Sequence, residues 1–186
     1  MKKLLLLAVL LTGLSFPACA SGPGYFKLSL WDDLALAIPN NIREIQGADF
    51  GIGSYTHHLT GFQWDIIWAE THDLTGASLA WGISKTSQAN GLQWAFVTMA
   101  DNITGAQLGG VNTAVDTTGA QVGGVNMSLR SIVGAQVGFY NQASYINGVQ
   151  FGLVNYAKCI YGLQIGIFNI AENGFLPAMV FVNGRF

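Results

Sequence analysis

Charge is scarce in this chain. Of its 186 residues only 10% are Asp, Glu, Lys or Arg, against about a quarter in ordinary soluble domains. With 8 basic and 10 acidic side chains the net charge is −2, so no basic stripe exists to neutralise phosphates, and a nucleic-acid partner is excluded. Two cysteines are too few for a disulfide scaffold. Proline is low at 4. No run after the first twenty residues reaches the roughly 18 apolar residues of a transmembrane helix. Disorder is excluded as well, because 11 Phe, 6 Tyr and 5 Trp accompany a hydrophobic content of 51%.

What is abundant is glycine, 24 residues of it, and it is spaced. Gly105-Ala106-Gln107-Leu108-Gly109, Gly119-Ala120-Gln121-Val122-Gly123 and Gly134-Ala135-Gln136-Val137-Gly138 are copies of one unit. Gly148-Val149-Gln150-Phe151-Gly152 and Gly162-Leu163-Gln164-Ile165-Gly166 continue it. An asparagine closes each unit, at Asn112, Asn126, Asn141, Asn155 and Asn169. Looser copies begin at Gly47, Gly61, Gly76 and Gly91, so nine leading glycines recur every 14 or 15 residues. Such periodicity outranks any single motif.

Within each copy the residues alternate, the mark of a strand with two unlike faces. One face carries Leu163, Ile165 and Ile167, or Phe62, Trp64 and Ile66; the other is built on Gly-Gln-Gly. Mid-unit glycine and a period of two exclude helix. The spacing predicts strands of about nine residues and connectors of about five, with Glu70, Asp73, Lys85, Asp101, Asp116, Arg130, Lys158 and Glu172 at strand ends or in connectors. Only Asp49 and Asp65 fall within repeat strands, on the Gly-Gln-Gly face.

The expected fold is all-β: an antiparallel up-and-down transmembrane β-barrel of about ten strands, its apolar face against lipid and its small polar face toward a narrow lumen. The alternative is a β-solenoid, whose outer face would be expected to carry charge in many coils. Residues 1–20 read as a signal peptide, with Lys2 and Lys3 before an apolar stretch and Ala18-Cys19-Ala20 as the cleavage site. Residues 21–46 form an N-terminal strand or cap, residues 47–173 the nine-repeat region, and residues 174–186 a closing strand. Lipidation at Cys19 is the alternative mode of export, and a periplasmic or lipid-anchored protein the alternative destination to the outer membrane. The end at Phe186, with Val182 and Val180 on its face, is similar to the final strand that barrel-assembly machinery reads. The expected partners are therefore outer-membrane lipid and that machinery.

The Gly-x-Gln-x-Gly-x-x-Asn unit, the Ser29-Leu30-Trp31 start and the Pro177…Asn183…Phe186 end resemble the bacterial surface-repeat family of Gly-Leu-Gln-x-Gly-x-x-Asn proteins of spirochaetes and other diderm bacteria. The resemblance covers about residues 28–186. It implies an exported surface or outer-membrane protein without assigned enzymatic activity. The copies at Gly47, Gly61 and Gly76 depart from the pattern, with Asp49 or Ser78 in place of Gln and no Asn.

Candidate chemistry is sparse. His57, His58 and His72 sit in expected connectors at opposite barrel rims, although a solenoid would stack them. Cys159 has no base beside it in sequence. Asp32-Asp33 and the lumen acids Asp49 and Asp65 read as polar patches, not a hydrolytic pair. The column Gln63, Gln93, Gln107, Gln121, Gln136, Gln150 and Gln164 is the most distinctive feature, and its expected role is a self-satisfying amide ladder. No catalysis, cofactor or metal is expected from these residues.

Overall fold

A computed structural model describes residues 23–31, 34–38 and 44–186. The signal segment, Cys19, Asp32 and Asp33 lie outside the described residues. The described chain is all-β, without helix, in the order β1 (Gly24–Trp31), β2 (Leu34–Ile38), β3 (Glu44–Ala80), β4 (Ile83–Ala171) and β5 (Ala178–Arg185). The sheet is open, with strand order β2-β1-β3-β4-β5.

The expected antiparallel pairing between neighbouring repeats is not what is found. β3 pairs with β4 in parallel, Gly76 beside Gly91, Ser78 beside Gln93 and Leu79 beside Trp94. The same offset of 14 or 15 residues continues through β4, where Gln107, Gln121, Gln136, Gln150 and Gln164 contact one another in turn. Antiparallel pairing is confined to the two ends, β1 with β2 and β5 with the last stretch of β4. The expected five-residue connectors are also absent. β3 runs for 37 residues and β4 for 89, because in-register stacking gives even the corner residues a backbone partner one repeat away. A tight hairpin turn would have none.

The leading glycines explain the register. All nine have φ between +131° and +154°, a backbone region that side chains other than hydrogen rarely enter. A methyl group on Gly119 would also strike the carbonyl oxygen of Gly105, and the same holds from Gly61 through Gly162. The glycines therefore form a column in which backbones touch.

Counting that glycine as position 1, the buried positions are 3, 8 and 10 (9 and 11 in the second and third repeats) together with the residue two before the next glycine. Ile132, Ala143, Ile146, Ala157, Ile160 and Ala171 make one apolar interior cluster, and Ile45, Leu59, Leu74, Ala100, Ile103 and Ala114 lie in another. Alongside them the interior holds glutamine and asparagine. The apolar face predicted to meet lipid lies outside: Val122, Val137, Phe151 and Ile167 are exposed.

Candidate functional site

Two amide columns fill the polar interior. Each glutamine from Gln107 to Gln164 donates its Nε2 to the Oε1 of the glutamine one repeat earlier, at 2.7–3.0 Å. The second Nε2 hydrogen goes to a backbone carbonyl six residues on, as from Gln121 to Met127 at 3.3 Å. Each asparagine from Asn112 to Asn155 donates the opposite way, to the Oδ1 of the next repeat, at 2.7–2.8 Å. Its other hydrogen meets the carbonyl at position 4 of that repeat, as from Asn126 to Val137 at 2.9 Å. Both amide hydrogens of each glutamine from Gln107 to Gln164 and of each asparagine from Asn112 to Asn155 are thus used, which offsets the cost of burying them. The two columns run antiparallel, so their amide dipoles offset one another.

The unit Gly-x-Gln-x-Gly-x-x-Asn follows from this packing. A methyl group at Gly123 or Gly138 would come within 2.6 Å of the Nδ2 of Asn112 or Asn126. The second glycine clears both the carbonyl oxygen of its counterpart in the preceding repeat, which a methyl at Gly123 or Gly138 would strike, and the asparagine amide of that repeat. At the last repeat the glutamine column ends, and Gln164 Oε1 is buried without a donor. Asn183 of β5 stands beside Gln164 there and donates instead to the Leu176 carbonyl, at 2.9 Å.

Toward the N-terminus the columns give way to charge. Asp49 takes the glutamine position and Asp65 the second-glycine position, and both are fully buried. Asp49 accepts from Ser29 at 3.0 Å and Thr56 at 2.8 Å, and faces Lys27 Nζ at 3.5 Å. Lys27, itself buried, also donates to Thr56 and to the Tyr55 carbonyl. Asp65 accepts from Ser54 at 2.7 Å through Oδ2, while its Oδ1 has no partner. Burial pushes the Asp65 carboxyl up to about 7, reinforced by the neighbouring Asp49 charge and opposed by the Ser54 hydrogen bond. Gln63 links this cluster to the repeats, donating to Ser54 and accepting from Thr71 at 2.8 Å. Sequence reasoning placed Asp49, Asp65 and Gln63 on one face but missed Lys27. The available signal was the alternation Lys27-x-Ser29 and Ser54-x-Thr56, polar residues at the spacing of one strand face.

The histidines do not fall at opposite rims. His58 Nδ1 lies 2.8 Å from Asp73 Oδ2, and His72 Nδ1 lies 3.2 Å from Asp73 Oδ1. All three are substantially exposed. Lys85 and Glu70 pair beside them at 2.8 Å. Among the described residues no group of His, Cys, Asp or Glu is placed to hold a metal ion, and Cys159 is an exposed free thiol.

The outer surface divides by chemistry. Position 4 runs Phe50, Trp64, Leu79, Trp94, Leu108, Val122, Val137, Phe151, Ile165, and positions 2 and 6 are apolar or glycine in every repeat. Aromatic rings pack along this face, Phe50 to Phe62 at 6.0 Å and Trp81 to Trp94 at 6.1 Å between centroids. Charged groups such as Asp116 and Arg130, which bond at 2.9 Å, occupy later positions of the repeat. Among the described residues no helix is long and apolar enough to cross a membrane, a statement that does not reach strands. No family model, curated protein or solved structure matches the chain.

Proposed function

We propose that the protein is an exported β-solenoid of the bacterial cell envelope, a rigid binding module without catalysis that works through its apolar outer face. The observation that carries this reading is the parallel glutamine column, Gln121 on Gln107 on Gln93. Coils laid one on the last bring identical side chains at one position of successive repeats together, which supports this winding. The meeting of His58 and His72 at Asp73 supports the same winding. Lys2, Lys3 and the Ala18-Cys19-Ala20 site support export, and the resemblance to the surface-repeat family supports a surface location. The glutamine and asparagine columns fill the interior, whereas the face of Trp64, Trp94, Val122 and Phe151 stands uncovered.

The outer-membrane barrel is the second reading, favoured by the outward apolar row and the terminal Phe186. It needs antiparallel neighbours and a sheet that closes, with outer-membrane lipid and assembly machinery as partners. One cross-link separates the two. In Val115→Cys/Leu129→Cys, made in a Cys19→Ser/Cys159→Ser background, stacked coils bring the two sulfurs within disulfide reach, since parallel strands lie about 4.8 Å apart. Antiparallel strands put them at opposite ends. Rapid intramolecular disulfide formation is expected; its absence under oxidant, with the fold intact, rejects the solenoid.

A further inference from the structure

The apolar face is larger than a folded chain ordinarily leaves open. The position-4 row is extended at one end by Leu28 and Leu36, paired with Phe50 through β1 and β2, and at the other by Val182, beside Ile165. Twelve rows at about 4.8 Å, each about five residues wide at about 3.3 Å, give an area of about 950 Å². The largest apolar patch on a typical monomer is about 300–600 Å². A stable interface takes about 800 Å² from each partner.

We infer that this face is covered by a second copy of the same chain, packed sheet on sheet about a two-fold axis parallel to the strands. The inference rests on the solenoid reading and names its partner. Self-association is free of repulsion, because positions 2, 4 and 6 carry no charge in any repeat. A bilayer surface is the poorer occupant. Interfacial binding to lipid draws on Lys and Arg flanking an apolar face, whereas the repeat edges here carry Asp73, Asp101, Asp116 and Glu172 against few cations.

Side-chain size fixes the orientation. The N-terminal half of the face carries Trp64, Trp81 and Trp94, its centre the small Gly110 and Gly124, and its C-terminal half Val137 and Ile165 beside Phe139 and Phe151. A two-fold axis along the strands through the fifth repeat, that of Leu108, sets repeat 4 against repeat 6. Trp94 then meets Val122, and Phe96 meets Gly124. Trp64 meets Phe151 of repeat 8 and Trp81 meets Phe139 of repeat 7, large against large, with Trp64 at a groove of about 560 Å³ lined by Val137, Phe151, Ile165 and Val182. The other two-fold choice, along the stack, sets Trp94 on Trp94 and Val122 on Val122, large on large and small on small, which packs poorly.

The test uses the full chain in the Cys19→Ser/Cys159→Ser background. Sedimentation equilibrium at tens of micromolar is expected to give twice the chain mass. With a bis-maleimide that spans the roughly 10 Å between packed sheets, Leu108→Cys is expected to cross-link to itself between chains, and Trp64→Cys/Phe151→Cys to cross-link between chains as well. Val122→Lys/Val137→Glu is expected to give monomers with an unchanged β-sheet circular dichroism spectrum, its self-association weakened at least tenfold. A wild-type monomer at 100 µM overturns the inference, as does Trp94→Cys cross-linking to itself in place of Leu108→Cys. Flotation of the wild type, but not of Val122→Lys/Val137→Glu, with phosphatidylethanolamine–phosphatidylglycerol vesicles also overturns it, by making lipid the occupant. If the Val115→Cys/Leu129→Cys disulfide forms and the protein is monomeric, the partner is wrong and the coil stands; if that disulfide fails, the coil itself is wrong.

Discussion

Gln121 Nε2 lies 2.8 Å from the Oε1 of Gln107, fourteen residues earlier, and neither side chain meets solvent. Because Gln136 donates to Gln121 in the same way, each amide is both donor and acceptor in one continuous column. Replacing Gln121 with Leu deprives Gln107 Oε1 and the Met127 carbonyl of donors in a buried place. The expected cost is about 2–4 kcal/mol, read from the urea midpoint. Gln121→Leu/Gln136→Leu removes a bond shared by both single changes, so its cost is expected to fall at least about 0.5 kcal/mol short of their sum. Strict additivity would show that the column is not energetically coupled.

Two glycines of the sixth repeat make a sharper contrast. Gly119 combines φ +131° with a backbone oxygen where a methyl would go. Gly119→Ala is expected to cost at least about 3 kcal/mol through strain and displaced backbone. Gly124 has neither a positive φ nor a hard clash; its nearest neighbour for a methyl is the Gly110 oxygen at 3.0 Å. Later repeats already carry Phe139, Leu153 and Ile167 at that position. Gly124→Ala is expected to stay within about 1 kcal/mol of the parent protein. Equal losses would mean that the glycine column does not set the register.

The period, the alternation and the glutamine ladder from Gln93 to Gln164 were legible in the residues, whereas Gln63 bonds Ser54 and Thr71 in place of another glutamine, and the asparagines, which read as turn caps at strand ends, form a second interior ladder. Strand direction was not. Alternating apolar and small residues over nine positions fit a hairpin strand and a coil edge equally well, since both have a side-chain period of two. The discriminating signal was the constancy of position: Gln stacked on Gln in register bonds only between parallel neighbours, whereas antiparallel neighbours would set Gln against a different position. Scarcity of charge on the Gly-Gln-Gly face was read as a lumen, but Gln63 through Gln164 carry no charge because they are buried outright. The Lys27 to Asp49 contact spans β1 and β3, a pairing that no local pattern announces.

Asp65 makes stability depend on pH in an unusual direction. Its folded-state value of about 7 lies above the ordinary 3.8, so the folded chain holds a proton that the unfolded chain releases. The contribution is fully present below about pH 4 and is lost as pH rises toward 7. Asp65→Asn keeps an acceptor for Ser54 and cannot ionise. It is expected to match the parent near pH 4 and to exceed it by up to about 4 kcal/mol at pH 8, measured by urea unfolding across that range. A parent protein whose stability relative to Asp65→Asn does not fall between pH 4 and 7 would contradict the burial of an unpaired carboxyl.

Lys27 and Asp49 face each other at 3.5 Å with both side chains shielded from water. Coulomb attraction between such groups roughly offsets the loss of their hydration, so the pair adds little net stability while each member alone is costly. Lys27→Met leaves the Asp49 carboxylate buried with only Ser29 and Thr56 hydroxyls as donors. The expected loss is about 3–5 kcal/mol. Adding Asp49→Asn removes the stranded charge and keeps an oxygen for one of those hydroxyls. Lys27→Met/Asp49→Asn is therefore expected to recover to within about 2 kcal/mol of the parent in urea unfolding, a coupling that a double-mutant cycle measures directly. If the double variant is instead as unstable as the sum of the single changes, the pair does not hold the first repeats onto β1, and the aliphatic packing of Ile45 and Leu59 must carry that end of the fold.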